Sequence, residues 1–297
     1  MKYVNNIFLL LLAAALAACN GSSSSGGNGA LTLAVADTPI DSATHVTVVF
    51  TGVEVQPADG MGDNGKPLEF DFSTPKTVDL LDQQQGRSAV LLDGVSLAAG
   101  DYAWIRLKID VGQSSITLTD GSVHPLRIPS GDQTGLKLVS GFAVAAGNTT
   151  SFTVDFNLRQ AVVLASGTYM LKPALRIVDN LQVGTLAGSV ANTVTIGGVA
   201  ISDPSCGPAV YIYSGSNVTP VDINTTSAVQ PLTTATLTLD ATTGKYDYSE
   251  GFLQAGNYTV ALVCAAKDDP ATVDALTFSA TKDATVSANT VTTVDFP

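Results

Sequence analysis

The chain predicts an all-β protein: two β-sandwich domains behind an export leader and a flexible linker. Three features point there. Hydrophobic residues make up 45% of the chain but charged ones only 13%, and Thr, Val, Ser and Gly abound, a mix that favours strands and turns over helices. Several segments alternate apolar and polar residues with period two. Clusters of Gly, Asp, Asn and Pro interrupt them at short intervals, as expected when two sheets bury their inner faces against each other.

The elements follow in order. Lys2 supplies a positive start, and residues 7–18 form an unbroken apolar run. That run is shorter than the ~20 apolar residues a bilayer helix needs, so residues 1–18 read as a secretory signal peptide. Residues 20–29 contain only Gly, Ser and Asn. Such a segment buries no core and spans roughly 17–20 Å as a flexible coil. Strands are expected at 31–36, 45–56, 68–72, 77–80, 102–111, 115–119, 123–128, 150–156 and 168–178, with a turn or two of helix within 80–92. A new pattern starts at Gly184, which divides the body into domains 30–180 and 181–297.

Internal echoes accompany these strands. Gly-x-Tyr precedes a strand at Gly100, Gly167 and Gly256; the glycine makes a tight turn and the Tyr ring packs inward. The run from Asn148 to Phe156 is echoed from Asn289 to Phe296 with the spacing off by one. We read these as a shared sandwich grammar rather than a duplication.

Leu16-Ala17-Ala18-Cys19 resembles the bacterial lipobox. The resemblance implies a diacylglycerol on the Cys19 thiol, cleavage before Cys19 and acylation of the new amine. Several acyl chains anchor firmly, because each buried methylene contributes ~0.8 kcal/mol. Asn20 stands where Asp would imply retention at the inner membrane, so the resemblance implies the outer membrane. Two broader resemblances cover the body. Asp37-Thr-Pro39-Ile-Asp41, the strand with Glu54, Val78-Asp-Leu-Leu81, Gly100-Asp-Tyr102, Val154-Asp-Phe156 and Tyr169-x-Leu171-x-Pro173 resemble a domain of unknown function found in bacterial lipoproteins (family 4382). That family implies a β-sandwich and no known activity. Gly188-Ser-Val190, Thr243-Gly-Lys-Tyr246 and Ala255-Gly-Asn-Tyr258 resemble prealbumin-like, carboxypeptidase regulatory-like modules, which are spacers or binding domains.

Removing residues 1–18 takes away Lys2 and no acid, so the mature charge is 13 − 26 = −13. An acidic chain without a basic run is ill suited to nucleic acid or to anionic headgroups, and the charge most simply confers solubility. With Cys19 lipidated, Cys206 and Cys264 form an even pair in an oxidising compartment, which favours a disulfide. A metal pair or a reactive thiol is the rival reading, but neither a Cys-x-x-Cys nor a neighbouring His supports it.

Motifs for chemistry are sparse. Gly60 to Pro67 nearly matches a phosphate-binding loop, but Pro67 replaces the Ser/Thr that would hold magnesium. Asp59, Asp63 and Asn64 in that segment are candidate calcium ligands, although the spacing departs from an EF-hand. His45 and His124 are far apart, and no Gly-x-Ser-x-Gly elbow occurs. Asp37 and Asp41 flank Pro39 and are expected to organise a turn. Trp104, the sole Trp, alternates with Tyr102 and is either a sugar-stacking platform or a packed sheet aromatic. Carboxylate pairs distant in sequence stay open, because separation in space is not legible. The expectation is a non-enzymatic envelope scaffold or interaction module with no cofactor, held by its lipid and meeting an envelope protein or glycan. A carbohydrate- or ligand-binding lipoprotein is the alternative, and an enzyme with a dispersed carboxylate site is the third.

Overall fold

A computed structural model describes residues 27–40, 42–58, 66–129, 135–223, 227–264, 266 and 276–297. The N-terminal sandwich contains β1 (Asn28–Thr38), β2 (Ala43–Pro57), β3 (Leu68–Asp79), β4 (Ala89–Ala98), β5 (Gly100–Ile109), β6 (Ser115–Leu118) and β7 (Val123–Arg127). It continues through β8 (Leu136–Leu138), β9 (Phe142–Val144), β10 (Thr149–Asn157), β11 (Val162–Ala165), β12 (Thr168–Leu171) and β13 (Leu175–Asp179). One sheet runs β13-β10-β1-β4. The other runs β11-β12-β7-β6-β2-β5-β8, with β3 on β2 and β9 on β5. Leu31, Leu33, Phe50, Ile105 and Phe156, all fully buried, fill the space between them.

The C-terminal sandwich contains β14 (Val183–Val190), β15 (Thr195–Ile196), β16 (Val199–Ala200), β17 (Ala209–Ser214) and β18 (Thr233–Thr236). It ends with β19 (Thr238–Leu239), β20 (Tyr246–Gln254), β21 (Gly256–Val263), β22 (Lys282–Val286) and β23 (Val291–Thr293). Its sheets run β19-β20-β14-β23 and β18-β17-β21-β22, with β15 and β16 as a separate hairpin. Tyr211 and Tyr213 project from β17 into a second small core with Ile223, Val263 and Ala266. That explains why β17 is buried on both faces.

The all-β expectation holds, with local corrections. The strands expected at 68–72 and 77–80 are one strand, β3, because β2 pairs with both stretches across a bulge. The helical signal at 80–92 reduces to a 3-10 turn, Leu80–Asp82, whose N-cap Asp79 accepts from the Leu81 N–H. Residues 83–88 form a turn, and 89–92 enter β4, because pairing with β1 overrides local propensity. The single strand expected at 168–178 is two strands in different sheets. Pro173, which has no N–H for a ladder, lies between them. The linker is shorter than expected, since Asn28 and Gly29 already belong to β1.

The two sandwiches repeat one arrangement. β1 lies between antiparallel β4 and parallel β10, and β14 lies between antiparallel β20 and parallel β23. Their opening hydrogen bonds correspond pair by pair. Ala30 N–H donates to Asn148 O and Thr185 N–H to Thr290 O, both at 2.9 Å; Gly147 N–H donates to Asn28 O and Asn289 N–H to Val183 O. Gly29 and Gly184 stand in the same crevice, where a Cβ would lie 2.3 Å from the Ala145 or Ser287 carbonyl oxygen. Asn289 therefore matches Gly147 and not Asn148. Both adopt left-handed φ, 57° and 72°, which Asn tolerates better than most residues. Tyr102 and Tyr258 begin equivalent strands, and each hydroxyl donates back to a carbonyl four residues earlier, Ala98 or Gln254.

One face of the β13-β10-β1-β4 sheet covers its own core. The other is closed by the C-terminal sandwich, through contacts of β1 with β18 and of β13 with β20. Burial accordingly stops alternating: residues 33–38 of β1 and 152–156 of β10 are buried without interruption. A short helix, α1 (Leu158–Ala161), joins the same junction. Arg159 on α1 is buried and donates to Thr234 Oγ1 and the Ala266 carbonyl.

Candidate functional site: a buried acidic seam

The junction of the sandwiches gathers polar groups from five strands. Ala36 of β1 pairs with Asp155 of β10, which pairs with Arg176 of β13, so Asp37, Asp155 and Arg176 occupy neighbouring strands. Glu250 of β20 and Thr233 of β18 approach from the other sandwich. Thr233 Oγ1 donates to Glu250 Oε1 at 2.7 Å and lies 2.9 Å from Thr38 Oγ1. With the Thr233 proton directed to Glu250, Thr38 is the donor in the second bond. Arg176 grips Asp155 Oδ2 through Nε at 2.7 Å and Nη2 at 2.6 Å. Asp37 sits among these groups, its carboxyl oxygens lacking a well-formed hydrogen bond among the described residues, although the Thr38 N–H and Gln84 partly relieve it.

Burial dominates the electrostatics here. It pushes Asp37 well above the usual carboxylate range, and the nearby charge of Asp155 pushes it further. Glu250 is pushed up to about 8, first by burial and then by Asp155, against the pull of Thr233 and Arg176. Burial also raises Asp155, but the Arg176 guanidinium opposes it. The two short contacts make Asp155 the carboxylate best placed to carry the charge, while burial biases Asp37 and Glu250 toward their protonated forms.

The turn role expected of Asp37 is thereby corrected: Asp37 is 4% exposed and faces the other sandwich. Asp41 lies outside the described residues. The open question of convergent carboxylates has an answer in Asp37, Asp155 and Glu250. No spacing rule could have found them, since the chain separates the first and last by more than two hundred residues. They line neither of two surface clefts. One cleft, of about 340 Å³, lies between β3 and β4 and is lined by Phe70, Phe72, Lys76 and Leu91 among others. The second, of about 260 Å³, includes Gly86, Asn180, Gly251 and Phe252.

The remaining candidates are placed as follows. Cys206 and Cys264 form a disulfide. Cys19, Asp59, Asp63 and Asn64 lie outside the described residues, as does the phosphate-loop-like segment apart from Lys66 and Pro67. Among the described residues no group of three or more His, Cys, Asp or Glu is arranged to hold a metal. His45 Nδ1 lies 2.6 Å from Asp79 Oδ2, a pairing that sequence order did not single out. Asp79 also accepts from the Val46 and Leu81 N–H groups, so it organises the chain at that corner. His124 meets Ser122 Oγ at 3.0 Å and packs on the Tyr169 ring. Ser122 donates to Asp120, so the serine and not the histidine is central, the wrong order for a Ser-His-Asp relay.

Trp104 and Tyr102 do not share a face as expected. A bulge pairs Gln56 with Trp104 but Pro57 with Tyr102, which turns Tyr102 into the core against Phe142. Trp104 stays half-buried on the outer sheet face. Lys137 lies 4.3 Å and Arg106 4.9 Å from its ring centroid, and Arg106 also pairs with Glu54 at 2.6 Å. Two cations thus occupy the aromatic surface that a sugar ring would need.

Residues 28–173 match the model of a family described as "Domain of unknown function (DUF4382)". No curated protein matches the chain. Among solved structures, a suspected adhesin from Bacteroides ovatus ATCC 8483 is 10% identical, covering 90% of this chain and 93% of that one, with a TM-score of 0.21. A suspected cell adhesion protein from Bacteroides eggerthii DSM 20697 is also 10% identical, covering 93% and 88%, with a TM-score of 0.23. The fimbrial anchor protein Mfa2 from Porphyromonas gingivalis is 9% identical, covering 82% and 80%, with a TM-score of 0.18. Likenesses at this level carry no assignment.

Proposed function

For a chain whose N-terminal sandwich carries the domain of unknown function DUF4382, we propose a lipid-anchored, non-enzymatic scaffold or interaction module of the bacterial envelope. The observation that carries this reading is the seam itself. Polar groups converge there to join two sandwiches, while their carboxyls are sealed from solvent and so are poorly placed to meet a substrate. Joined in this way, the sandwiches offer a broad β surface to a partner. In this reading the division between domains falls at residue 181, Cys19 bears the lipid, and the Gly/Ser/Asn segment lets the body stand off the outer membrane.

Cross-linking in whole cells, followed by capture of wild type and Cys19→Ala, tests partner and anchor together. Wild type is expected to incorporate labelled fatty acid and to retain envelope partners that Cys19→Ala loses. Failure of wild type to take up the label removes the anchor from the proposal. A glycan-binding reading rests on Trp104, and the cations already over its ring count against it.

A further inference from the structure

The seam between β1, β10 and β13 on one side and β18 and β20 on the other encloses three carboxyls with one guanidinium held against them. Asp155 is matched by Arg176. Glu250 is held by a neutral hydroxyl, Thr233, and Asp37, 4% exposed, has no well-formed hydrogen bond to either oxygen among the described residues. Ionised, Asp37 and Glu250 would be buried anions facing a third anion, Asp155, without a cation of their own. Such a charge is expelled into water or neutralised. The Thr38–Thr233 bond crosses directly between the sandwiches, and Glu250 accepts from the same Thr233 hydroxyl within its own sandwich, so an ionised Glu250 forced toward water disturbs the hydroxyl that makes the crossing.

We propose that the seam is a proton-operated latch: the two sandwiches are held together while Asp37 and Glu250 carry protons, and they part when those protons leave. Every packed element contributes to the balance. β1 brings Asp37, β10 Asp155, β13 Arg176 and β20 Glu250. Tyr258 of β21 is close enough to feel Arg176, and Arg159 of α1 is directed to Thr234 and the Ala266 carbonyl. Gln84 adds only a partial dipole toward Asp37.

The sign of the pH response follows from which state binds protons more tightly. The closed seam raises Glu250 from the ordinary 4.5 to about 8 and raises Asp37 as well. The closed state is therefore fully favoured below the ordinary carboxylate value. It is lost progressively as pH climbs toward about 8. Within that window the opening equilibrium rises about tenfold per pH unit for each proton released.

The test uses the full-length protein with its disulfide intact and spin labels on the exposed sites Val139→Cys and Leu239→Cys, one in each sandwich. Pulsed electron resonance then reads the inter-label distance from pH 5 to pH 9. One narrow distance at low pH, joined by a longer and broader population that grows toward pH 8, supports the latch. The isosteric pair Asp37→Asn and Glu250→Gln, which cannot titrate, is expected to stay closed throughout. An unchanged distance in wild type across the range overturns the proposal, whether or not the variants fold. So does a folded double variant that opens as wild type does.

Discussion

Thr38 and Thr233, 195 positions apart in the chain, share a 2.9 Å hydrogen bond in a buried seam. Because Thr233 also donates to Glu250, one hydroxyl links two strands of its own sandwich and a third from the other. Replacing it removes the hydrogen bond that, among the described residues, Glu250 accepts from a side chain. Thr233→Val keeps the volume and is expected to cost about 1–3 kcal/mol, the penalty of leaving a buried polar partner unsatisfied. Thr233→Ser should recover most of that. Urea unfolding of the three proteins measures it.

The Arg176–Asp155 pair makes a prediction with a different signature. Arg176→Met leaves Asp155 as a buried charge without its cation and is expected to cost about 3–5 kcal/mol. Adding Asp155→Asn to that variant should restore part of the loss, because the uncompensated charge disappears. A double-mutant cycle in urea that shows simple additivity would contradict this description of the seam.

The Cys206–Cys264 bridge closes a loop across a separation of 58 residues. On the chain-entropy account its loss costs about 4 kcal/mol. The Cys206→Ala/Cys264→Ala protein should melt well below wild type under oxidising conditions and close to reduced wild type. Two titratable thiols in native protein from the envelope would show that the bridge does not form.

Gly29 and Gly184 offer a test of the structural repeat. Each faces a carbonyl oxygen that a methyl group would meet at 2.3 Å. Gly29→Ala and Gly184→Ala should both destabilise, each by about 1–3 kcal/mol or more, as overpacking does. Gly256→Ala, where the nearest atom would be 3.9 Å away, should be close to neutral. Thermal melting of the three variants gives the order.

Much of the fold was legible because alternation and turn chemistry are local. β2 and β5 are recognisable from period two alone, and the inward packing of Tyr102 and Tyr258 follows from Gly-x-Tyr. β4 was hidden, since its Leu-Leu-Asp-Gly-Val run reads equally as a buried helix turn and only pairing with β1 decides it. The face of Trp104 was hidden for a related reason: a bulge shifts the register by one residue, so Trp104 does not follow Tyr102 into the core.

The acidic seam marks the boundary between the two kinds of information. By itself the sequence determined an all-β body, an even cysteine pair and an expected lipid site at Cys19, because these rest on neighbours in the chain. Only the tertiary structure decided that Asp37, which beside Pro39 reads as a turn residue, faces Glu250. Burial against a second sandwich is a property of surfaces brought together, and it is burial that makes an ordinary carboxylate hold its proton more tightly.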